Sequence, residues 1–216
     1  MRRVLEVETP HGAARVQLQP QAGARAALVL GHGAGGGVGA PDLVAAARAA
    51  AAAGLAVALV EQPYRVAGRR SPAPAGRLDA SWTAVVARLC DDELAGLALV
   101  VGGRSSGARV ACRTAAAVHA AAVLCLAFPL RPPRREGREP APSRLEELEA
   151  VAVPTLVVQG ERDPFGLPPP GPLREVVVVP GDHSLRAGLP RVEEAVARWL
   201  GRVVARRRLR RGHFAR

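Results

Sequence analysis

The stretch VVGGRSSGARVACR, Val100–Arg113, places two serines between glycines directly after an apolar run. The apolar residues read as a buried strand and the residues after the second serine as a helix, so the glycines mark the turn between them. Gly103-Arg104-Ser105-Ser106-Gly107 matches G-x-S-x-G. In a strand–turn–helix unit this spacing lifts the central serine to the apex, while glycines on either side let helix and strand approach closely. Ser106 lacks the glycine frame. Ser105 is therefore the nucleophile candidate and Ser106 the residue after it. The plain alternative is a Gly-rich turn without chemistry, and the surrounding chain has to decide between the two.

Outward from this turn, short Val/Leu-rich runs recur with helix-like stretches between them. Strands are expected at Val4–Glu8, Arg15–Leu18, Ala26–Leu30, Leu55–Val60, Leu97–Gly102, Ala122–Leu126, Thr155–Gly160 and Arg174–Val179. Helices are expected at Pro41–Ala53, Asp79–Leu89, Ser106–Val118, Ser143–Ala150 and Arg191–Arg208. Pro41 and Asp42 suit a first helical turn. From Ala26 onward strands and helices alternate, and the middle strands are apolar almost throughout. That is the pattern of an α/β fold with a mostly parallel central sheet covered by helices on both faces. No helix separates the first two strands, so they form an antiparallel hairpin at one edge. The Pro-rich stretch Pro129–Pro142 breaks the alternation and would border a site.

Open α/β sheets place ligands at the carboxyl ends of their strands. There the sequence sets GHGAGGG after Leu30, GRSSG after Gly102, ERDPFG after Gly160 and PGDHSL after Val179. A serine nucleophile needs a base, and the base needs an acid to hold its tautomer. Ser105, Asp163 and His183 follow the chain order serine, acid, histidine that strand–turn–helix serine hydrolases use. Glu161, two residues closer to the strand, ranks second as the acid. Asp182 ranks third, because neighbouring side chains rarely face each other well. The oxyanion of an acyl transfer needs pre-aimed donors. One is the Ser106 amide at a helix N-terminus, and the second is the Ala34 amide, with Gly33 close behind, in a stretch like the HGGG loop of esterases.

The net charge of +11 would ordinarily point to nucleic acid or an anionic membrane. The chain, however, lacks Lys, Ile and Asn, and its only Met is Met1. Avoidance of AT-rich codons explains that pattern and the surplus of Arg, so no specific nucleic-acid partner is expected. Cys90, Cys112 and Cys125 form no CxxC pair, which suits reduced thiols in a cytoplasm. The glycine loops lack the Lys of a P-loop and do not fit GxGxxG. No metal and no cofactor is expected, and neither a signal peptide nor a membrane span. Arg131, Arg134, Arg135 and Arg138 could meet an anionic group but read first as a solvated loop. Oligomeric state is not legible.

The blocks LGHGAGG (Leu30–Gly36), PYRVAGRRSP (Pro63–Pro72), GGRSSGAR (Gly102–Arg109), FPLRPP (Phe128–Pro133) and VPTLVVQGERDPFG (Val153–Gly166) occur in order. In these the chain resembles a small cap-less α/β-hydrolase of the dienelactone-hydrolase-like clan. Its nearest resemblance is to the bacterial branch related to a testis-expressed hydrolase-like protein and a chromatin-complex subunit. The likeness spans roughly Leu28–Trp199. It implies an α/β-hydrolase fold and a Ser105–Asp163–His183 triad. The chain itself reads as a single domain over residues 1–205 with an Arg-rich C-terminal extension over 206–216. Dienelactone hydrolases proper use a cysteine nucleophile, so their substrate is not carried over. The expected activity is hydrolysis of a small-molecule ester, thioester or similar acyl bond. The alternative is a binding or scaffold module that keeps the fold without turnover.

Overall fold

A computed structural model describes residues 2–133, 139 and 141–212, with side chains of the last helix described up to Ala205. Eight strands form one sheet: β1 Arg3–Val7, β2 Ala14–Gln19, β3 Ala26–Gly31, β4 Ala56–Glu61, β5 Ala98–Arg104, β6 Ala122–Leu126, β7 Thr155–Gly160 and β8 Arg174–Val179. The helices are α1 Pro41–Ala52, α2 Pro63–Val66, α3 Ala75–Asp91, α4 Ser106–Thr114, α5 Leu145–Glu149 and α6 Leu189–Gly212. The spatial order is β1-β2-β4-β3-β5-β6-β7-β8. β1 pairs antiparallel with β2, and β2 with β4; every pair from β4–β3 to β7–β8 is parallel. This is the α/β-hydrolase architecture, with the first hairpin at one edge as the sequence implies.

The central strands bury both faces because helices cover both. On one side Trp82, Leu78 and Val85 of α3 pack with Ala108 and Ala111 of α4 against Val29, Val101 and Val123. On the other, Leu43 and Ala47 of α1 pack with Val192, Val196 and Leu200 of α6 against Leu28, Val100 and Leu124. Alternate residues of each strand feed the two layers, as the period-2 pleat requires.

Most element boundaries lie within a few residues of expectation. α3 starts at Ala75 rather than Asp79 and α4 stops at Thr114 rather than Val118. α2 has no counterpart in the sequence reading; four residues behind Pro63 carry too little periodicity to signal a helix. α6 runs on to Gly212, so position 205 falls inside a helix. Arg134, Arg135 and Arg138, and residues 213–216, lie outside the described residues. Arg131 is exposed, and its amide donates to the Phe165 carbonyl at 2.8 Å, which ties residues 129–131 to the loop after β7.

Candidate active site

The turn after β5 is sharp. Ser105 has φ 52° and ψ −110°, a conformation that costs a non-glycine residue about 1–3 kcal/mol and persists only where its surroundings hold it. Its amide donates to the Leu126 carbonyl at 2.9 Å, and its carbonyl accepts from the Arg109 amide at 3.2 Å. The flanking glycines do what the motif requires. A Cβ on Gly107 would stand 2.4 Å from the Gly31 carbonyl oxygen, and one on Gly103 would stand 2.5 Å from the same atom. The first turn of α4 is thus pressed against the end of β3, with Ser105 at the apex and the unpaired Ser106 amide at the helix start.

Ser105 Oγ lies 2.9 Å from His183 Nε2, and His183 Nδ1 lies 2.8 Å from Asp163 Oδ2. A carboxylate only accepts, so Nδ1 carries the proton and, in the neutral ring, Nε2 accepts from the serine hydroxyl. The Asp163 carboxyl is 1% exposed. It also accepts from Gln159 Nε2 at 2.8 Å and from the Phe165 amide at 2.9 Å. The Phe165 ring packs on the imidazole at 4.4 Å between centroids. The competing acids sit elsewhere. Glu161 is exposed and pairs with Arg162, while Asp182 is exposed and accepts from the Ser184 hydroxyl and amide, which hold its carboxyl below the usual range.

Topology explains how these residues meet. β3 lies beside β5, so the GHGAGGG loop borders the serine turn; β7 lies beside β8, so Asp163 and His183 are neighbours. β6 and β7 still separate β8 from β5, and the loop after β8 bends back over them. A Cβ on Gly160 would stand 2.3 Å from the Asp182 carbonyl oxygen, so only glycine lets the loop cross there. Beyond the crossing, Leu185 is fully buried and its amide donates to the Asp182 carbonyl, closing the turn that carries His183.

The loop after β3 is fixed by a second, buried histidine. His32 Nε2 accepts from the Gln62 amide at 3.0 Å, which leaves Nδ1 as the donor to the Gly33 carbonyl at 2.8 Å. Burial lowers the His32 pKa; contact with Gly33 and the charge of Glu61 oppose that without reversing it, so the ring stays neutral. Tyr64 Oη donates to the next carbonyl, Ala34 O, at 3.1 Å. Because a peptide unit is planar and trans, anchoring the Gly33 carbonyl on one side turns the Ala34 N–H to the other. Gly33 itself lies against the serine turn, where a Cβ would come within 3.5 Å of Ser105 Cβ.

Three residues of this arrangement escape the sequence reading. Gln159 sits inside an apolar strand, and an isolated buried amide there is the one signal that could have drawn attention to it. Tyr64 and Gln62 lie in a segment whose short helix gives no periodic pattern.

The comparisons agree with this architecture. A family described as alpha/beta hydrolase domain matches residues 24–187, three-quarters of the chain. The chain belongs to the α/β-hydrolase family. No curated protein matches it significantly. This α/β-hydrolase is similar in structure to an α/β serine hydrolase without a lid from Xanthomonas campestris, at 19% identity and TM-score 0.73, covering 93% of this chain and 94% of the other. Est1E from Butyrivibrio proteoclasticus superposes with TM-score 0.74 at 15% identity, over 94% and 99% of the two chains. A dienelactone hydrolase of Anabaena variabilis gives TM-score 0.71 at 18% identity, over 92% and 96%. At such identities the likeness speaks for the fold.

Among the described residues no helix is long and apolar enough to cross a membrane. A cavity of about 750 Å³ lies at the opposite ends of the strands, lined by Pro154, Thr155, Arg174, Glu175, Trp199 and Arg202, remote from Ser105.

Proposed function

We propose that the protein is a serine hydrolase that cleaves an ester, thioester or similar acyl bond of a small molecule, with Ser105, His183 and Asp163 as its triad. The observation that carries this reading is the unbroken relay from Ser105 Oγ through His183 to the buried Asp163, at 2.9 and 2.8 Å, ending on a serine at a strained turn apex. Ser105 Oγ attacks the acyl carbon as its proton passes to Nε2. The tetrahedral oxyanion accepts from the amides of Ser106 and Ala34, with Gly33 as the neighbouring donor. The Nε2 proton then leaves with the alcohol or thiol, and His183 activates water to release the acid from the acyl-serine. No step calls for a metal or cofactor. The lid-less fold of the Xanthomonas neighbour supports a shallow, open cleft lined by loops. The three free cysteines favour a reducing, cytoplasmic setting.

A fluorophosphonate probe tests the reading directly. Labelling is expected on Ser105 and is expected to vanish in Ser105→Ala, while Ser106→Ala keeps it because only the Ser106 amide takes part. Labelling that survives Ser105→Ala, or no labelling of the wild type together with no turnover of p-nitrophenyl acetate, refutes it.

A further inference from the structure

The first variable position of the G-x-S-x-G motif is an arginine, Arg104, and the structure uses it. Arg104 Nε lies 2.9 Å from Asp42 Oδ2, and Arg104 Nη2 donates to the His183 backbone carbonyl at 3.0 Å. Its third nitrogen, Nη1, faces Gly33, where an added Cβ would come within 2.8 Å. One guanidinium therefore touches the start of α1, the loop after β3 and the loop after β8, from the residue next to Ser105.

We propose that Arg104, anchored by Asp42, is a positioning residue that holds His183 on Ser105. The inference rests on the hydrolase reading and deepens it. His183 reaches the serine on a loop that must double back over β6 and β7, and Gly160 only makes room for that crossing. Room is not restraint. Leu185 closes the turn behind His183 and Asp163 holds its ring; the restraint on the His183 backbone from the serine side is the Arg104 Nη2 bond to its carbonyl.

Asp42 supplies the other half. It is fully buried in the first turn of α1, where the helix dipole favours a negative charge, and its Oδ1 accepts from the Leu43 amide at 2.9 Å. Desolvation raises its pKa, and the Arg104 charge is the chief opposing influence. A carboxylate in that position has its counter-ion in Arg104 alone among the described side chains. Arginine suits the task because its charge is spread over three nitrogens on a rigid plane, so one group neutralises Asp42 through Nε and donates to the His183 carbonyl through Nη2, whereas a lysine ammonium is a single point charge on a flexible stem. In Arg104→Lys the buried Asp42 keeps a cation while the second arm, to the His183 carbonyl, is lost.

The test compares the full-length wild type with Arg104→Lys and with the paired variant Arg104→Met/Asp42→Leu, which removes both buried charges together. Each is assayed for kcat and KM on p-nitrophenyl acetate, for the rate of fluorophosphonate labelling, and for the downfield proton NMR signal of His183 Nδ1–H. Loosening a catalytic group by about 1 Å costs on the order of 10²-fold, so Arg104→Lys is expected to lower kcat about 10–100-fold with KM within about threefold. Labelling slows by the same factor, and the downfield proton broadens or disappears while thermal unfolding stays cooperative. The paired variant, where it folds, shows the same loss. Wild-type kcat and an unchanged downfield proton in Arg104→Lys overturn the proposal, as does a rise in KM alone. Absence of wild-type labelling and turnover instead sinks the hydrolase reading, and the downfield proton then still reports whether Arg104 seats the ring.

Discussion

Gly107→Ala tests whether close approach of α4 to β3 sets the geometry around Ser105. The new methyl would stand 2.4 Å from the Gly31 carbonyl oxygen, 2.6 Å from its carbon and 2.8 Å from the His32 oxygen. All three are backbone atoms, so no side chain can swing aside. Ordinary contact begins near 3.4 Å, and the first turn of α4 must therefore move outward by about 1 Å. That turn carries the Ser106 amide, and Ser105 stands at its head. Overpacking of this kind costs typically about 1–3 kcal/mol of stability, and a 1 Å error in catalytic geometry about 10²-fold in rate. Gly107→Ala should therefore remain folded with a lowered urea midpoint, and lose about 10²-fold or more in kcat on p-nitrophenyl acetate. Gly76→Ala is the control. It lies in α3 with nothing within 4 Å of its added methyl, and should be neutral or stabilising by up to about 1 kcal/mol with kcat unchanged. If Gly107→Ala matches the wild type in both kcat and midpoint, the close approach does not set the site geometry.

Asp163→Asn should fold yet lose about 10²–10⁴-fold in kcat, because an amide favours the wrong His183 tautomer. Glu161→Gln and Asp182→Asn should stay within about threefold, since their carboxyls bond Arg162 and Ser184 instead; equal losses in all three would refute the assignment. A third prediction concerns acid stability. Burial would raise the Glu147 pKa, but Arg109 and then Arg113 outweigh it and lower it below the ordinary 4.5. A depressed acid stabilises the fold above its unfolded pKa and loses that contribution as pH falls through the folded value. Urea unfolding should therefore show Glu147→Gln less stable than wild type by about 1–3 kcal/mol at pH 7, with the gap closing below about pH 4.5. A gap that persists unchanged at pH 3 would contradict the ion-pair account.

Local chemistry explains why so much was legible in advance. Apolar runs of strand length, separated by helix-like stretches, mark parallel strands because helices cover both faces of such a sheet and leave no polar alternation. G-x-S-x-G marks the serine turn because both glycines stand at fixed spacing about the serine, although the oxygen each must clear within 2.4–2.5 Å of a would-be Cβ belongs to Gly31 on β3. The candidates Asp163 and His183 were legible because strand order along the chain fixes which loops reach the same sheet edge. Their meeting was not. Choosing Asp163 over Glu161 and Asp182 depends on which way each side chain leaves its loop, and that follows from the Gly160 crossing and from Gln159, whose amide bonds the Phe128 and Gly166 carbonyls as well as Asp163. The neutral tautomer of His32 depends on an amide 30 residues away. Asp42 read by itself is an ordinary first-turn acid; its ion pair with Arg104, 62 residues on, exists only because α1 and the β5 turn converge at one end of the sheet. Periodicity and turn chemistry act through neighbours in sequence and so are written in it, whereas a hydrogen bond between loops forms only once the sheet order has set their distance and direction.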